Sequence, residues 1–310
     1  MWRRMSEPLP AWNSHDAESL RAFAAVRLLV ADIDGTLISR SIAQVFQRID
    51  DLRRLLIHRR YGVQMTIATG RAYKGVGAVL ARLRLDPGTP LVLYNGSLVL
   101  RYRTNDILLH RTVSPDAAEQ VRRVARECAV ICLAYYVQKA QAISSPVEEV
   151  RAWGGELRPM QDFNGIPITW DADLPSDVGP TAILVEGTEG GRPLNQVAER
   201  LRTIPGIEVT TSGHRFLELR PEASNKASAL ASLTGPLSIP REAILALGDS
   251  DNDAEMLAWA GVGVAIADAS PKAREAARYY CRHGAAEGAI EVLRIIREAK
   301  RYYSATPKAS

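Results

Sequence analysis

Cysteine is scarce in this chain, which has three such residues among 310. They are Cys128, Cys132 and Cys281, and no two of them form a Cys-x-x-Cys pair. An odd number with this spacing argues against a disulfide framework and against a zinc site. We therefore predict three buried thiols in a protein that resides in a reducing compartment.

A long apolar run is absent as well. No stretch approaches the roughly 20 apolar residues that a membrane-spanning helix needs. Near the amino terminus, Pro8, Pro10, His15 and Asp16 interrupt the chain where a secretory signal would have an apolar segment. The sequence thus predicts no membrane segment and no export, and a cytoplasmic location follows by elimination.

The chain also lacks a large excess of positive or negative charge. The 39 basic and 35 acidic residues leave a net charge of +4. Arginine is scattered along the chain, whereas a nucleic-acid-binding surface would concentrate positive charge in a patch or stripe. We therefore predict no nucleic-acid partner. The hydrophobic fraction of 46% is ordinary for a globular protein, and the length suits one large domain or two modest ones.

Five continuous apolar runs recur along the chain, and each ends at polar residues or at glycine. They cover residues 27–33, 63–68, 91–94, 243–247 and 262–266. Continuous runs of this length are typical of strands that are buried on both faces, as in parallel sheets. Helical patterns separate them, at residues 42–59, 72–84, 226–233 and 254–260. The alternation predicts an α/β fold with a doubly wound parallel sheet, whose ligands bind at the carboxyl ends of the strands.

The middle of the chain follows a different pattern. Residues 98–101 and 107–110 flank Thr104-Asn105-Asp106, which we predict to be a hairpin turn. Further helices are predicted at 115–128 and 194–202, and further strands at 130–137, 182–186, 207–211 and 216–219; 147–180 carries no clear pattern. We predict an inserted α+β domain at 98–215, a core made of 27–97 and 216–300, an extension at 1–26 with a short helix, and a tail at 301–310.

Two carboxylates, Asp32 and Asp34, follow the first predicted core strand in the sequence Asp-Ile-Asp-Gly-Thr. Like charges this close are unfavourable unless a cation lies between them, and Mg²⁺ prefers oxygen ligands of this kind. One carboxylate could attack phosphorus and form an aspartyl-phosphate. The other could protonate the leaving oxygen and later activate water. The alternative explanation is an Asp-Gly turn or a helix cap.

Three more acids follow another predicted strand, in Gly248-Asp-Ser-Asp-Asn-Asp. A phosphate dianion that approaches such a site is repelled by about 4 kcal/mol per pair of unit charges at 4 Å and an effective dielectric constant near 20. A metal ion must offset this repulsion. We predict Asp249 as the side-chain ligand from this segment. Asp251 could instead cap the following helix, because acids favour helix amino termini.

Two further elements suit phosphate binding. Thr69, Gly70 and Arg71 end the second predicted core strand and precede a helix, where a hydroxyl and backbone N–H groups can hold an anion. A simple helix cap is the alternative. Lys226 begins another helix, directly after Asn225, and could neutralise both a carboxylate and a phosphate; a surface lysine is the alternative.

Together, these elements resemble those of the haloacid dehalogenase (HAD) superfamily of phosphohydrolases. The residues that carry the resemblance are Asp32, Asp34, Thr69, Lys226, Asp249 and Asp253. The segments Leu93-Tyr-Asn-Gly-Ser and Phe216-Leu-Glu-Leu-Arg-Pro resemble the Cof-type subgroup, whose members carry a large inserted cap. The resemblance implies a Rossmann-like core with a mobile α/β cap over the site.

The resemblance also implies a role for each matching residue. Asp32 would be the nucleophile and a Mg²⁺ ligand, and Asp34 the general acid/base with its carbonyl on the metal. Thr69, Gly70 and Lys226 would hold the phosphoryl group, and Asn252 would contact it. Asp249 would bind Mg²⁺, and Asp253 would orient Lys226 or a water on the metal. Apart from these implied roles, Arg71, Asn95, Gly96, His214 and Arg215 could face the substrate, and a structural role is the alternative for each.

The sequence leaves three functions open. The first is a Mg²⁺-dependent phosphomonoester hydrolase acting on a small phosphorylated metabolite, with sugar phosphates first and nucleotide or cofactor phosphates next. The second is a phosphosugar mutase of the same superfamily, which would return the phosphoryl group to the sugar. The third is a non-catalytic ligand-binding or regulatory protein, for which loss of Asp32 or Lys226 would be the mark; both are present.

Overall fold

The structure is a computed structural model that describes residues 6–10, 17–38, 62–104, 106–139, 146–156, 158–212 and 215–305. The helix predicted at 42–59 and the candidate contact His214 lie outside these residues. The chain forms two compact units. Unit 1 comprises Met1–Thr69, Ala78–Val92 and Asn225–Ser310, and unit 2 comprises Gly70–Gly77 and Leu93–Ser224.

The strands and helices are numbered in chain order. The strands are β1 (Glu7–Pro8), β2 (Leu28–Ala31), β3 (Gln64–Ile67), β4 (Pro90–Leu93), β5 (Leu98–Arg101), β6 (Ile107–His110), β7 (Ile131–Gln138), β8 (Val147–Trp153), β9 (Ile168–Trp170), β10 (Ala182–Glu186), β11 (Ile207–Ser212), β12 (Phe216–Pro221), β13 (Ile244–Gly248), β14 (Val262–Ala265) and β15 (Tyr279–Tyr280). The helices are α1 (Ala17–Ala24), α2 (Tyr73–Leu83), α3 (Pro115–Glu127), α4 (Leu194–Leu201), α5 (Lys226–Leu237), α6 (Ala254–Trp259), α7 (Pro271–Ala276) and α8 (Ala285–Ala305).

Unit 1 is built on a parallel sheet with the strand order β1-β15-β14-β13-β2-β3. The central strands β2 and β13 are buried along their whole length, which explains their continuous apolar sequence. The bridge between Ala68 and Val92 places β4 beside the end of β3. The prediction of an α/β fold with a doubly wound parallel core is confirmed, and each of the five predicted core strands is present.

The described part of the predicted extension belongs to this sheet and its core. Strand β1 pairs in parallel with β15, and Leu9 is buried. On α1, the Phe23 ring lies 5.4 Å from the ring of Tyr279, and Ala24 accepts a hydrogen bond of 3.0 Å from Lys300 of α8. The sequence did not indicate β1, because a strand of two residues, one of them a proline, is too short to show the alternation of polar and apolar residues that marks a strand.

Unit 2 contains a second sheet with the order β11-β12-β10-β7-β8-β9, antiparallel except between β8 and β9. The helices α3 and α4 pack on one face of it, and Val121, Ala134, Val185, Val197 and Leu217 belong to the shared core. The predicted hairpin of β5 and β6 is also present. Strand β12, which the sequence assigned to the start of the second core segment, pairs with β10 and β11 of this unit.

Two secondary-structure predictions differ from the structure. Residues 147–180 contain β8 and β9; the burial of β8 does not alternate regularly, and β9 has only three residues. Helix α5 continues to Leu237 instead of ending at Leu233, since Pro236 removes only its own N–H group from the last turn.

All three cysteines are buried and free, as predicted. Burial raises the pKa of Cys132 to about 12 and also raises the pKa of Cys281. These thiols therefore carry little thiolate at neutral pH. Within the described ranges, no helix is both long and apolar enough to cross a membrane.

Candidate active site

The carboxyl ends of β3, β2 and β13 lie side by side at one edge of the unit 1 sheet. Ala68 N donates to Ala31 O, and Asp32 N donates to Leu247 O, each at 3.0 Å. The chain therefore leaves three neighbouring strands at Asp32, Thr69 and Asp249. Because parallel strands end at the same edge, residues far apart in the sequence meet there.

Lys226 joins two of the predicted carboxylates. Its Nζ donates to Asp32 Oδ1 and to Asp253 Oδ1, both at 2.7 Å, and the lysine side chain is completely buried. The lysine is the first residue of α5, whose amino terminus is fixed by Asn225 and Ser228 in a reciprocal capping box. This capping box fixes the first turn of α5 and with it the position of the Lys226 backbone, from which the side chain extends to the carboxylates.

Asp253 uses both carboxylate oxygens within the protein. Oδ1 accepts from Lys226, and Oδ2 accepts from the N–H groups of Asp249 and Ser250 at 3.0 Å each. Gly248 is required for this approach, because a Cβ atom there would lie 2.6 Å from Asp253 Cβ. Asp253 therefore fixes the lysine and the turn that presents Asp249.

Asp249 is oriented by two hydroxyl groups to which the sequence analysis assigned no role. Thr36 Oγ1 donates to Asp249 Oδ1 at 2.7 Å, and Ser250 Oγ donates to Oδ2 at 3.0 Å. Gly35 adopts φ +90°, and a Cβ atom at that residue would lie 2.2 Å from Asp249 Oδ2. The signal in the sequence was the Gly-Thr pair after Asp34, whose glycine allows the close approach and whose threonine supplies the donor.

The cluster of Asp32, Asp249 and Asp253 brings one oxygen from each residue within 4.8 Å of the others, and all three residues are buried. When these three carboxylates are ionised, three negative charges lie close together, and the described ammonium group of Lys226 donates to two of them, Asp32 and Asp253. Burial raises the pKa of Asp32 to about 8; Asp253 and Asp249 act in the same direction, and Lys226 opposes them. Burial lowers the pKa of Lys226, but Asp253 and Asp32 raise it further, so the lysine stays protonated.

This concentration of negative charge and this donor set suit a hard divalent cation, which binds carboxylate oxygens and would replace the proton on Asp32. The lone pairs of Asp253 are largely used by Lys226 and two backbone N–H groups. Asp32, Asp249 and Asp253 are the described side chains whose oxygens could together hold a cation.

Other residues that the sequence singled out in unit 1 lie at the edge of this cluster or outside it. Asp34 is exposed, and its backbone forms a bridge with Ile38. Thr69 is buried, and its N–H group donates to Val92 O at 2.9 Å. Asn252 is partly buried in the turn Asp251–Asp253. Asp251 is exposed and accepts from Ser270 Oγ at 2.6 Å, so its carboxylate is engaged outside the cluster.

The predicted substrate contacts belong to unit 2. Arg71 donates to Gly75 O at 3.0 Å, and Asn95 Nδ2 donates to Glu218 Oε2 at 2.7 Å. Gly96 follows Asn95 in the same turn, in which both have positive φ. Arg215 is exposed and donates to Glu186 at 2.9 Å. Glu218 had no role in the sequence analysis, because nothing local connects it with Asn95.

The chain is similar to known proteins in sequence and in fold. The sequence model of the haloacid dehalogenase-like hydrolase family matches residues 29–293. The chain is 26% identical over 272 residues to the 5-amino-6-(5-phospho-D-ribitylamino)uracil phosphatase YcsE of Bacillus subtilis, covering 87% of this chain and 95% of that protein. It is also 26% identical over 253 residues to the pyridoxal phosphate phosphatase YbhA of Escherichia coli, covering 80% of this chain and 91% of YbhA.

Solved structures show the same fold. One is the crystal structure of a haloacid dehalogenase-like hydrolase from Bacteroides thetaiotaomicron, which superposes with a TM-score of 0.69 at 24% sequence identity. The match covers 89% of this chain and 99% of that one. The similarity therefore extends over both units of the chain.

Proposed function

The chain belongs to the haloacid dehalogenase-like hydrolases, among which it is a phosphatase of the Cof type, and we propose that it hydrolyses a small phosphorylated metabolite with Mg²⁺ and with Asp32 as a covalent nucleophile. The observation that carries this proposal is the buried group of Asp32, Lys226, Asp249 and Asp253. It brings together the proposed nucleophile, a buried ammonium group and carboxylates that could hold a metal ion.

In the proposed mechanism, a carboxylate oxygen of Asp32 attacks the phosphorus atom. The bond from phosphorus to the leaving oxygen breaks, and that oxygen takes a proton from Asp34. A water molecule then gives a proton to Asp34 and attacks the same phosphorus, which releases phosphate and regenerates the Asp32 carboxylate. Asp34 is exposed, which allows it to exchange protons with water, and it lies two residues from Asp32 in the chain.

Lys226 keeps Asp32 in place and supplies positive charge for the phosphoryl oxygens. Thr69, Gly70 and Asn252 are the further proposed phosphate contacts, and Arg71, Asn95 and Gly96 are proposed to contact the rest of the substrate. Mg²⁺ would be held by the carboxylates of Asp32 and Asp249 and by the Asp34 carbonyl, where it would neutralise charge on the phosphate. Asp253 supports this arrangement through Lys226 and the Asp249 N–H group.

A sugar phosphate or a related polyol phosphate is the substrate class that we propose. The name of YcsE specifies a substrate with a phosphorylated ribityl chain, and that of YbhA specifies a cofactor phosphate. Both are small phosphomonoesters, which favours a compound of this size. The cytoplasmic location and the domain limits inferred from the sequence stay predictions.

The test is phosphate release from a panel of sugar, polyol, nucleotide and cofactor phosphates, in Mg²⁺ and in EDTA. We expect Mg²⁺-dependent release that Asp32→Asn abolishes, because an amide oxygen is a poor nucleophile toward phosphorus. Asp251→Asn is the matched control, since Asp251 is an exposed acid outside the cluster. Equal rates for Asp32→Asn and the wild type would rule out the covalent mechanism. Conversion of a sugar phosphate into its positional isomer, without phosphate release and only with a sugar bisphosphate present, would indicate the mutase instead.

Mg²⁺ binding should depend on pH, because burial raises the pKa of Asp32 from 3.8 to about 8. A raised folded-state pKa means that the protonated carboxyl stabilises the metal-free fold at low pH, and that this contribution is lost as the pH rises through about 8. A cation replaces the proton. We therefore expect Mg²⁺ to raise the Tm of EDTA-treated protein more at about pH 8.5 than at about pH 6. Equal Tm shifts at both pH values would contradict this expectation. A full Tm shift in Asp249→Asn would contradict the proposal that Asp249 binds Mg²⁺.

A further inference from the structure

A carboxylate of strand β8 caps a helix that begins 75 residues earlier in the chain. Glu148 Oε1 accepts from Tyr73 N, and Oε2 accepts from Lys74 N, both at 2.8 Å. These are the first two residues of α2, whose N–H groups have no carbonyl partner within the helix. Ala72 precedes the helix and has no side-chain acceptor, so the cap comes from Glu148.

The same carboxylate holds a second segment. Tyr94 OH donates to Glu148 Oε1 at 2.7 Å, and Tyr94 N donates to Arg71 O at 3.2 Å. Tyr94 and Asn95 adopt φ of 48° and 52°, and Gly96 follows with 96°. A left-handed conformation is unfavourable for a residue other than glycine, so this turn persists only where its surroundings stabilise it.

Glu148 thus links the turn at residues 94–96 to the start of α2. The segment from Gly70 to Lys74 follows Thr69 directly, and it contains two of the proposed phosphate and substrate contacts, Gly70 and Arg71. The turn contains two more of them, Asn95 and Gly96. Backbone strain of this kind concentrates at functional sites, where it keeps binding groups in a defined place.

We propose that Glu148 is a positioning residue of the phosphatase reaction, which holds these two binding segments in their substrate-binding geometry through Tyr73, Lys74 and Tyr94. This inference rests on the proposed function. A purely structural cap would affect the unfolding free energy but not the affinity for phosphate. A positioning role predicts weaker phosphate binding in protein that remains folded.

The decisive variant is Glu148→Gln, which keeps the shape of the side chain but replaces one acceptor oxygen by an NH₂ group. That group cannot accept from Tyr73 N or Lys74 N, and the negative charge at the amino terminus of α2 is lost. Tyr94→Phe is the milder second variant, because it removes one hydroxyl and leaves the helix cap. Glu149→Gln is the matched control: Glu149 is the next residue of β8, is partly buried as Glu148 is, and pairs with Arg151 at 3.1 Å.

The measurements are kcat and KM for p-nitrophenyl phosphate, the inhibition constant of inorganic phosphate, and Tm. They are made in Mg²⁺ for the wild type, the three single variants and the double variant that combines Glu148→Gln with Tyr94→Phe. Since a hydrogen bond to a charged group contributes about 1.5 to 3 kcal/mol, we expect Glu148→Gln to raise KM and the inhibition constant about tenfold or more. We expect Tyr94→Phe to raise both about threefold, with less effect when Glu148→Gln is already present. Glu149→Gln should match the wild type.

Two results would overturn the inference in different ways. If the wild type is active but the inhibition constant of phosphate stays within twofold in Glu148→Gln and Tyr94→Phe, Glu148 is only a structural cap, and the proposed function stands. If the wild type releases no phosphate from any phosphomonoester, the proposed function fails, and this inference fails with it. Should Glu148→Gln not fold, Tyr94→Phe decides the question alone.

Discussion

Replacing Lys226 by Met is expected to reduce turnover by about 10³-fold or more, because a fixed positive charge next to the reacting phosphate is lost. The same change should lower the free energy of unfolding by about 3 to 5 kcal/mol, since removal of one partner leaves buried charges uncompensated. Two carboxylates, those of Asp32 and Asp253, share this one ammonium. Rates of phosphate release and urea unfolding in EDTA measure the two effects.

A second change should separate the two losses. In Lys226→Met combined with Asp253→Asn, one of the uncompensated charges is gone, while the new amide oxygen can still accept from the N–H groups of Asp249 and Ser250. We expect this double variant to regain much of the lost stability but none of the activity. The exposed Lys272 of α7 provides the control, and Lys272→Met should resemble the wild type.

An unchanged urea midpoint in Lys226→Met would mean that the buried ion pairs are not formed in solution. A double variant as unstable as the single one would mean that the loss comes from packing of the lysine stem and not from charge. Either result would remove the electrostatic argument for a bound metal ion, which depends on the three buried carboxylates and on the ion pairs of Lys226.

The parts of the fold and site that could be predicted are those whose cause is local in the sequence. The continuous apolar runs of β2 and β13 follow from burial on both faces, so their strands were recognisable without any partner. Asp32 and Asp249 follow those runs, and the parallel arrangement alone brings them to one edge. Asn225 is a typical N-cap residue and indicates that a helix begins at Lys226, so the backbone position of the lysine in the first helical turn could be predicted.

The parts that could not be predicted depend on contacts between distant segments. Glu148 lies in a strand with mixed polarity, and its hydrogen-bond partners are 54 to 75 residues away in the sequence. Its neighbour Glu149 has the same chemistry but points to the other side of the strand, toward Arg151. No periodic pattern separates these two acids. The same holds for Glu218 and Asn95, which are 123 residues apart.

The amino-terminal segment is a further case, and it leads to the last prediction. A variant lacking residues 1–25 is expected to lose most of its stability, because Leu9, Leu20 and Phe23 are almost completely buried. Burial of one such side chain contributes about 1.5 to 3 kcal/mol, so the three together contribute up to about 5 to 9 kcal/mol. A whole domain is stable by only about 5 to 15 kcal/mol. Urea unfolding and gel filtration measure the loss.

Shorter changes divide this effect between β1 and α1. A variant lacking residues 1–10 loses β1 and Leu9, and we expect a cost of about 1.5 to 3 kcal/mol. Phe23→Ala leaves a cavity beside Tyr279 and should cost about 3 to 5 kcal/mol. If all three variants unfold at the wild-type urea concentration, the segment is a dispensable extension. If Phe23→Ala alone accounts for most of the lost stability, the stabilising contribution comes from α1, which packs against α8 and Tyr279. In that case β1 contributes little more than a cover for the edge of the sheet.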